Sequence, residues 1–351
     1  MTVVLTICAA IWLLGAVMDA PRGQRWIVMG AVWALSLVGF ALLPADNLLA
    51  GDPRVWVIAT LLGAVVYGYL VLLGRLRARG AKAASATTPA AVSKATFGPD
   101  ELERYARHIM LREIGGPGQK ALKNARVLVV GAGGLGSPSL LYLAAAGVGV
   151  IAVMDDDVVD ASNLQRQVIH SSDRIGTPKV LSAEAAMQSL NPHVQVVALR
   201  QRLTADNATV LADYDLILDG SDNFDTRYLV NREAVKAGKP LISAAITQWE
   251  GQISLYDPAH GTPCYECVFP HRPAPGMVPT CAEAGVAAPL PGVIGAMMAM
   301  EAVKHITGAG ETLRGRLMIH DALYAETRVF SIKPRTDCAV CGAIQANAAA
   351  S

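Results

Sequence analysis

The sequence predicts an α/β fold with a mainly parallel sheet, preceded by three transmembrane helices. Three observations carry that expectation. A strand, a glycine turn, a helix and a second strand follow one another between residues 126 and 155. Four of the six cysteines form two CxxC pairs. The first 74 residues hold only six charged side chains: Asp19, Arg22, Arg25, Asp46, Asp52 and Arg54. Composition then removes whole classes. Of 351 residues, 52% are hydrophobic and 17% charged, against about 25% charged in an ordinary soluble domain, so a disordered chain is excluded. A net charge of +1 sets up no field to gather a phosphate polymer, and no nucleic-acid partner is expected. The cysteines are too sparse for a disulfide scaffold, and their spacing suits a metal in a reducing compartment.

The N-terminal elements are three apolar stretches, 2–18, 26–43 and 55–74, each near the roughly 20 residues that cross a bilayer core. They lack the polar residue at every third or fourth position that marks the solvent face of a globular helix. Cys8 is a small apolar residue within the first. The loop 21–25 carries Arg22 and Arg25 without an acid, 44–54 carries Asp46 and Asp52 against Arg54, and Arg75, Arg77, Arg79 and Lys82 follow the third stretch. Basic residues favour the cytoplasmic side. The expectation is therefore an inner (cytoplasmic) membrane protein with its N-terminus outside and residues 75 onward in the cytoplasm. A cleaved signal peptide is the alternative for the first stretch, although no basic residue precedes it. Residues 1–74 thus read as a membrane region. Residues 75–99 read as a flexible linker, basic and then rich in Ala, Ser, Thr and Pro, whose basic patch can rest on anionic headgroups. The globular domain is expected over 100–342, with a disordered tail at 343–351.

Within that domain, the buried-strand pattern at 126–130 runs directly into Gly131-Ala-Gly133-Gly134-Leu-Gly136, then a helix at 137–146 and an apolar strand at 149–154 that ends in Asp155, 19 residues after the last glycine. This is GxGxxG in the setting a Rossmann-like nucleotide site requires. Glycines admit phosphates to the backbone, the helix start offers unpaired N–H groups, and the carboxylate accepts from ribose hydroxyls. The motif does not identify the nucleotide. Further strands are expected at 194–199, 215–218, 241–244 and 252–256, with helices between several of them, which gives the α/β class. The apolar helix at 291–306 is too short for a span and reads as core or interface.

Two polar clusters are unlike those of a dehydrogenase. Asn163, Arg166 and Gln167 lie in Ser162-Asn-Leu-Gln-Arg-Gln167, and Lys179 follows in Thr177-Pro-Lys179. Cations so placed can offset the charge that builds on transferring phosphoryl oxygens; the plainer reading is a surface arginine and a surface lysine. The strand at 215–218 leads into Asp219-Gly-Ser-Asp222-Asn223, where a carboxylate at a strand end can hold Mg²⁺. The plainer alternative is that Asp222 or Asn223 caps the helix over 224–237. Cys264 and Cys267, with Cys338 and Cys341, supply four thiolates for a closed, structural zinc site that staples the C-terminus to the domain; a redox dithiol is the alternative. Cys281, in a Pro- and Gly-rich stretch at 270–291, stands alone as a possible nucleophile.

Together these motifs resemble the MoeB/ThiF/HesA family, bacterial relatives of ubiquitin-activating enzymes, and most closely its molybdopterin-synthase adenylyltransferase branch. The resemblance runs from about Leu102 to Gly342. It rests on Arg104-Tyr105-Ala-Arg107-His108, GAGGLGS, MDDD, SNLQRQ, TPKV, LDGSDN, EGQIS, PCYEC, TCAEAGV and CAVC, all in family order. The resemblance implies an adenylyltransferase that activates the C-terminal glycine carboxylate of a small ubiquitin-like sulfur carrier with ATP, releasing pyrophosphate and preparing the carrier for sulfur from a persulfide donor. It implies that Gly131, Gly133, Gly134 and Gly136 line the ATP phosphates and that Asp155 holds the ribose. Asn163, Arg166, Gln167, Lys179 and Asn223 complete the nucleotide pocket, and Asp222 sits at Mg²⁺. Arg107 matches an arginine that reaches into the partner's site of a homodimer. Cys281 matches a motif cysteine that in some members links covalently to the carrier. No rhodanese domain is expected after Cys341, so the persulfide would come from another protein.

The competing expectations are an NAD-dependent oxidoreductase, an ATP-dependent dehydratase of a modified tRNA base, and a tethered binding module with a degenerate ATP site. The SNLQRQ and DGSDN clusters and the cysteine pairs argue against the first. The charge balance and paired CxxC argue against the second, and the filled motif positions against the third.

Overall fold

The computed structural model describes residues 97–344 except 275–276 and 278–283, together with helical pieces at 4, 8, 10–14, 28–36, 60–61, 65, 68–69 and 72. The chain divides into two compact units, 1–82 and 83–351.

Among the described residues no helix is long and apolar enough to cross a membrane. This corrects the expected inner-membrane placement. Apolar composition is only half of what a span requires; the other half is about 20 residues in one continuous helix. The helical run 28–36 rises about 14 Å, less than half of a hydrocarbon core of about 30 Å. Apart from that run and the shorter pieces named above, the three apolar stretches lie outside the described residues, as do nearly all of the linker and the tail from 345.

The second unit is built on one eight-stranded sheet, ordered β3-β2-β1-β4-β5-β6-β7-β8. Its first five strands are β1 (Arg126–Val130), β2 (Val150–Met154), β3 (Gln195–Leu199), β4 (Leu216–Asp219) and β5 (Leu241–Ile246). All of them pair in parallel. β6 (Glu250–Tyr256), β7 (Arg316–Asp321) and β8 (Glu326–Ser331) continue the sheet antiparallel. The sheet is therefore mostly parallel, as expected, with an antiparallel extension whose last two strands the sequence did not announce. All six residues of β8 are exposed, so no buried-strand pattern exists there to be read.

Successive side chains on a strand face opposite ways, and here both faces are covered. Val127, Val129, Ile151, Val153, Leu216 and Leu218 pack on one side with α3 (Gly136–Ala146), α4 (Lys179–Leu190) and α7 (Pro289–Thr307). Leu128, Val130, Val150, Ala152, Met154 and Ile217 pack on the other with Tyr214, Tyr228 and Tyr256, Tyr228 lying on α5 (Phe224–Lys236). Two helices precede the sheet, α1 (Pro99–Ile109) and α2 (Gly115–Asn124), and the one-turn α6 (Tyr265–Val268) follows β6. Glu101 joins the first two: it accepts from the Gly98 N–H at 3.0 Å and pairs with Lys123 at 2.7 Å.

The apolar helix expected at 291–306 is α7, a core helix that buries Leu290, Ile294, Met298 and Ala302 at four-residue spacing. It lies close against α3 because Gly295 has no side chain. A Cβ there would stand 2.3 Å from the Leu135 carbonyl oxygen and 2.4 Å from Pro138 Cγ. Ser139 Oγ donates across this contact to the Gly295 carbonyl at 2.9 Å. Alanine normally stabilises a helix interior by about 1 kcal/mol over glycine. Gly295→Ala is nevertheless expected to lower the unfolding free energy in urea by about 2 kcal/mol, since the backbone cannot yield without parting the helices. An unchanged or raised midpoint would refute the contact.

Candidate active site

The parallel strands reverse direction of build between β2 and β4, on either side of β1, and ligands of open α/β sheets bind outside the strand ends at such a switch. Here that place is occupied by the glycine loop. Gly131 has φ +97°, in the region that disfavours side chains, and donates its N–H to the Met154 carbonyl at 2.8 Å. A Cβ on Gly131 would lie 3.0 Å from the Gly220 carbonyl oxygen, and one on Gly136 only 1.9 Å from the Gly131 carbonyl oxygen. These two glycines therefore serve the fold first, by letting three stretches of backbone meet. The turn feeds into α3, which has no acidic residue in its first turn and no side-chain cap; the Ser137 N–H there donates to the Gly133 carbonyl at 2.9 Å, and Pro138 carries no N–H.

The structure brings the sequence-predicted groups to this loop by specific contacts. Asp155 accepts the Ala132 N–H on Oδ2 and the Asp157 N–H on Oδ1, both at 2.8 Å. Arg166 passes over Gly134, with its Cγ 3.9 Å from the site a Cβ would take, and donates to Asn163 Oδ1 at 2.7 Å. Gln167 is buried beside Gly133. Lys179, the first residue of α4, is 5% exposed and donates to Asp157 Oδ2 at 2.8 Å. A residue without a sequence signal ties these pieces together. His170 is buried, with Nε2 2.9 Å from the Ala132 carbonyl oxygen and Nδ1 2.9 Å from Ser182 Oγ. A carbonyl can only accept, so Nε2 carries the proton there and Nδ1 accepts from the hydroxyl.

At the end of β4 the two acids of Asp219-Gly-Ser-Asp222 divide their roles. Asp219 is fully buried and accepts from the Ser221 N–H, Ser221 Oγ and Ser243 Oγ at 3.0, 2.6 and 2.8 Å. Its charge is met by Arg227, whose Nε lies 3.5 Å away without hydrogen-bond alignment. Asp222 is exposed. The cap of α5 is Asn223, whose Oδ1 accepts the Thr226 N–H at 2.9 Å, so Asp222 is left free of that task. Gly220 and Ser221, immediately before it, touch the glycine loop.

The residues present fit a phosphate-bearing nucleotide. Two buried side-chain oxygens near the loop, Ser137 Oγ and Gln167 Oε1, have no hydrogen-bond partner, and such groups are rarely left unsatisfied unless a ligand or water completes them.

A second centre lies at the C-terminus. The sulfurs of Cys264, Cys267, Cys338 and Cys341 all lie within 4.8 Å of one another and are buried, and none forms a disulfide. Neighbouring sulfurs stand 3.3, 3.6 and 3.9 Å apart. Tetrahedral zinc with bonds of about 2.3 Å requires sulfurs about 3.8 Å apart, so the cluster is compatible with that metal. A hydrogen bond from the Cys264 thiol holds Cys267 well below the usual thiol range and raises Cys264 in turn; Cys267 also accepts the Arg335 N–H at 3.4 Å.

Arg107 is not among the groups at the glycine loop. It is exposed on α1 and lines a separate cavity of about 460 Å³ with Arg104, His108, Leu111, Tyr142 and Met300. Cys281 lies outside the described residues.

Burial lowers the His170 pKa. The unfolded chain, with an imidazole near 6.5, then binds more protons than the folded one as pH falls, so His170 makes stability decline below about pH 6.5. His170→Gln is expected to flatten the stability–pH curve between about 6.5 and 5 in urea titrations. An unchanged slope would place the protonation elsewhere.

Comparison with known proteins places this geometry. The ThiF family profile matches residues 105–340. The chain is 50% identical over 248 residues to the sulfur carrier protein adenylyltransferase of Thermus thermophilus, covering 69% of this chain and 92% of that protein. It is 48% identical over 243 residues to the SAMP-activating enzyme E1 of Haloferax volcanii, covering 69% and 89%. Against the adenylyltransferase and sulfurtransferase MOCS3 of Bos taurus it is 46% identical but spans only 55% of that protein. Among solved structures it resembles E. coli MccB with ATP, with TM-score 0.58 and 26% identity over 68% of this chain and 74% of that one.

Proposed function

Because the chain belongs to the ThiF family, we propose that it adenylates the C-terminal glycine carboxylate of a ubiquitin-like sulfur carrier protein, using ATP and releasing pyrophosphate. The reading is carried by one observation: Arg166 lies against the glycine loop and Lys179 is linked to it through Asp157 and Asp155, in a chain 50% identical to a sulfur carrier protein adenylyltransferase. A carboxylate oxygen attacks the α-phosphorus, forming an O–P bond as the bond to the pyrophosphate oxygen breaks. The carboxylate is already ionised, so no general base is required, and the work left to the protein is alignment and charge neutralisation.

In this reading Gly131, Gly133, Gly134 and Gly136 admit the phosphates, which Arg166 and Lys179 neutralise. Asn163 orients Arg166, Ser137 Oγ can donate to a phosphate oxygen, and Gln167 Oε1, which can only accept, is left for a hydroxyl or amino group of the nucleotide. Asp155 still has a lone pair on each oxygen for ribose hydroxyls. Asp222 is the carboxylate left free to hold Mg²⁺, which would neutralise the departing pyrophosphate; Asn223 supports it by capping α5. The four cysteines hold zinc as a structural staple. The acyl-adenylate is then open to sulfur from a persulfide donor, with Cys281 placed by its motif for a covalent link to the carrier. A second copy of the chain would cover the face where Leu111, Tyr142 and Met300 are 49%, 59% and 60% exposed, bringing Arg107 to its partner. No observation favours the NAD-dependent or tRNA-base alternatives.

ATP–pyrophosphate exchange on the full chain, with Gly-Gly-terminated carriers supplied one at a time, tests this. Exchange should appear with a cognate carrier and fall about 100-fold or more in Arg166→Ala and Asp222→Ala. Exchange without any carrier, or with none of them, would refute the assignment. The purified protein should also carry about one zinc per chain, and Cys341→Ser should lose it with a marked fall in Tm; a metal-free protein of unchanged Tm would refute the staple.

A further inference from the structure

The partner of Lys179 is a residue to which the mechanism above assigns no role. We propose that Asp157 is a positioning residue for Lys179, an internal counter-anion that holds the lysine aligned and gives it up to nucleotide phosphate. The proposal rests on the ATP site described above and deepens it.

Lys179 is in an unfavourable place for a cation. Its side chain is 6% exposed, and as the first residue of α4 it sits at the positive end of a helix dipole, in a helix with no acidic residue in its first turn and no side-chain cap. Among the described residues its one ion pair is with Asp157, at 2.8 Å. An ammonium withdrawn from water without a counter-ion is strongly penalised, because the low-dielectric interior returns little of the lost hydration energy. The pair therefore explains how the site tolerates its lysine.

The pairing is built into the backbone. The Lys179 N–H donates to the Asp157 carbonyl at 3.0 Å, the Val159 N–H to Thr177 at 2.9 Å, and the Gly176 N–H to Val159 at 2.9 Å. Val158 and Pro178 form a β-bridge between the same segments. The Asp157 N–H is held in turn by Asp155, whose other oxygen holds the glycine loop at Ala132. The counter-anion, the lysine and the loop thus form one connected frame.

The pair is also asymmetric. The Asp157 side chain is 67% exposed against 6% for Lys179. A phosphate that takes the ammonium leaves a carboxylate that water can solvate at once, so exchange of partners costs little. Asp156, the exposed neighbour, carries the same charge without pairing to the lysine. It separates a specific competition from general repulsion of a polyanion.

The test is ATP affinity by calorimetry on the full chain. Asp157→Asn should tighten ATP about three- to tenfold by removing the competitor, and lower Tm in the absence of nucleotide by leaving the ammonium unpaired. Asp156→Asn should change affinity less than about twofold, as a charge not paired with the lysine. In a Lys179→Ala background, which has no buried charge to strand, Asp157→Asn should also change affinity less than about twofold. Weaker or unchanged ATP binding in Asp157→Asn, an equal gain in Asp156→Asn, or a gain that persists without Lys179 would each overturn the proposal. Absence of ATP binding in the parent protein would instead overturn the nucleotide site itself.

Discussion

The site depends on a backbone contact that only glycine permits. Where β1 and β4 end, the turn into α3 presses Gly136 against Gly131 at a distance no Cβ could enter, and Gly131, at positive φ, lies tight against Gly220. That contact aims the start of α3, the positive end of its helix dipole, at the mouth of the sheet. It also sets where α7 can lie, since Gly295 packs on Leu135 in the same turn. The seat of a core helix, the strand switch and the shape of the glycine loop are in this way set by one close-packed turn.

Around that frame the charges are arranged by burial. Asp219 and Arg227 form a buried pair whose remaining hydrogen-bonding capacity is largely used by Ser221 and Ser243. Such a pair stabilises little on balance but is costly to break, which suits a group that holds the strand end rigid. Asp222, three residues on, is exposed and not tied down in that way. Rigidity and availability are thus separated between two acids of one short motif.

The antiparallel half of the sheet answers a different need. β7 and β8 lie between the two cysteine pairs in the chain, and β8 is exposed at every position. An edge strand with so little buried surface gains little from the hydrophobic effect. The four clustered sulfurs close the segment by bringing its end back against Cys264 and Cys267, which are held in turn near α5 through Glu266 and Arg232 at 2.8 Å.

Much of this was legible in the residues themselves. The glycine spacing, the strands on either side of it and the paired CxxC each follow from local rules: period-two burial, the steric demand for glycine and thiolate ligand spacing. They were found because their physics acts within a few neighbours. The expected membrane placement rested on the length and apolarity of three stretches and on the basic residues flanking them, and it did not survive, because a span requires one continuous helix and none of sufficient length is found among the described residues. The sequence could not divide Asp222 from Asn223, since both can cap a helix; the fold decided it by giving the cap to Asn223. Nor did it single out His170 or Asp157, whose importance lies in contacts across 38 and 22 residues of chain. The sequence by itself determined the parallel strands, the glycine turn and the cysteine pairs. Only the tertiary structure decided which groups are buried, and so which charges must find partners, because burial is a property of the whole packed chain and not of any segment of it.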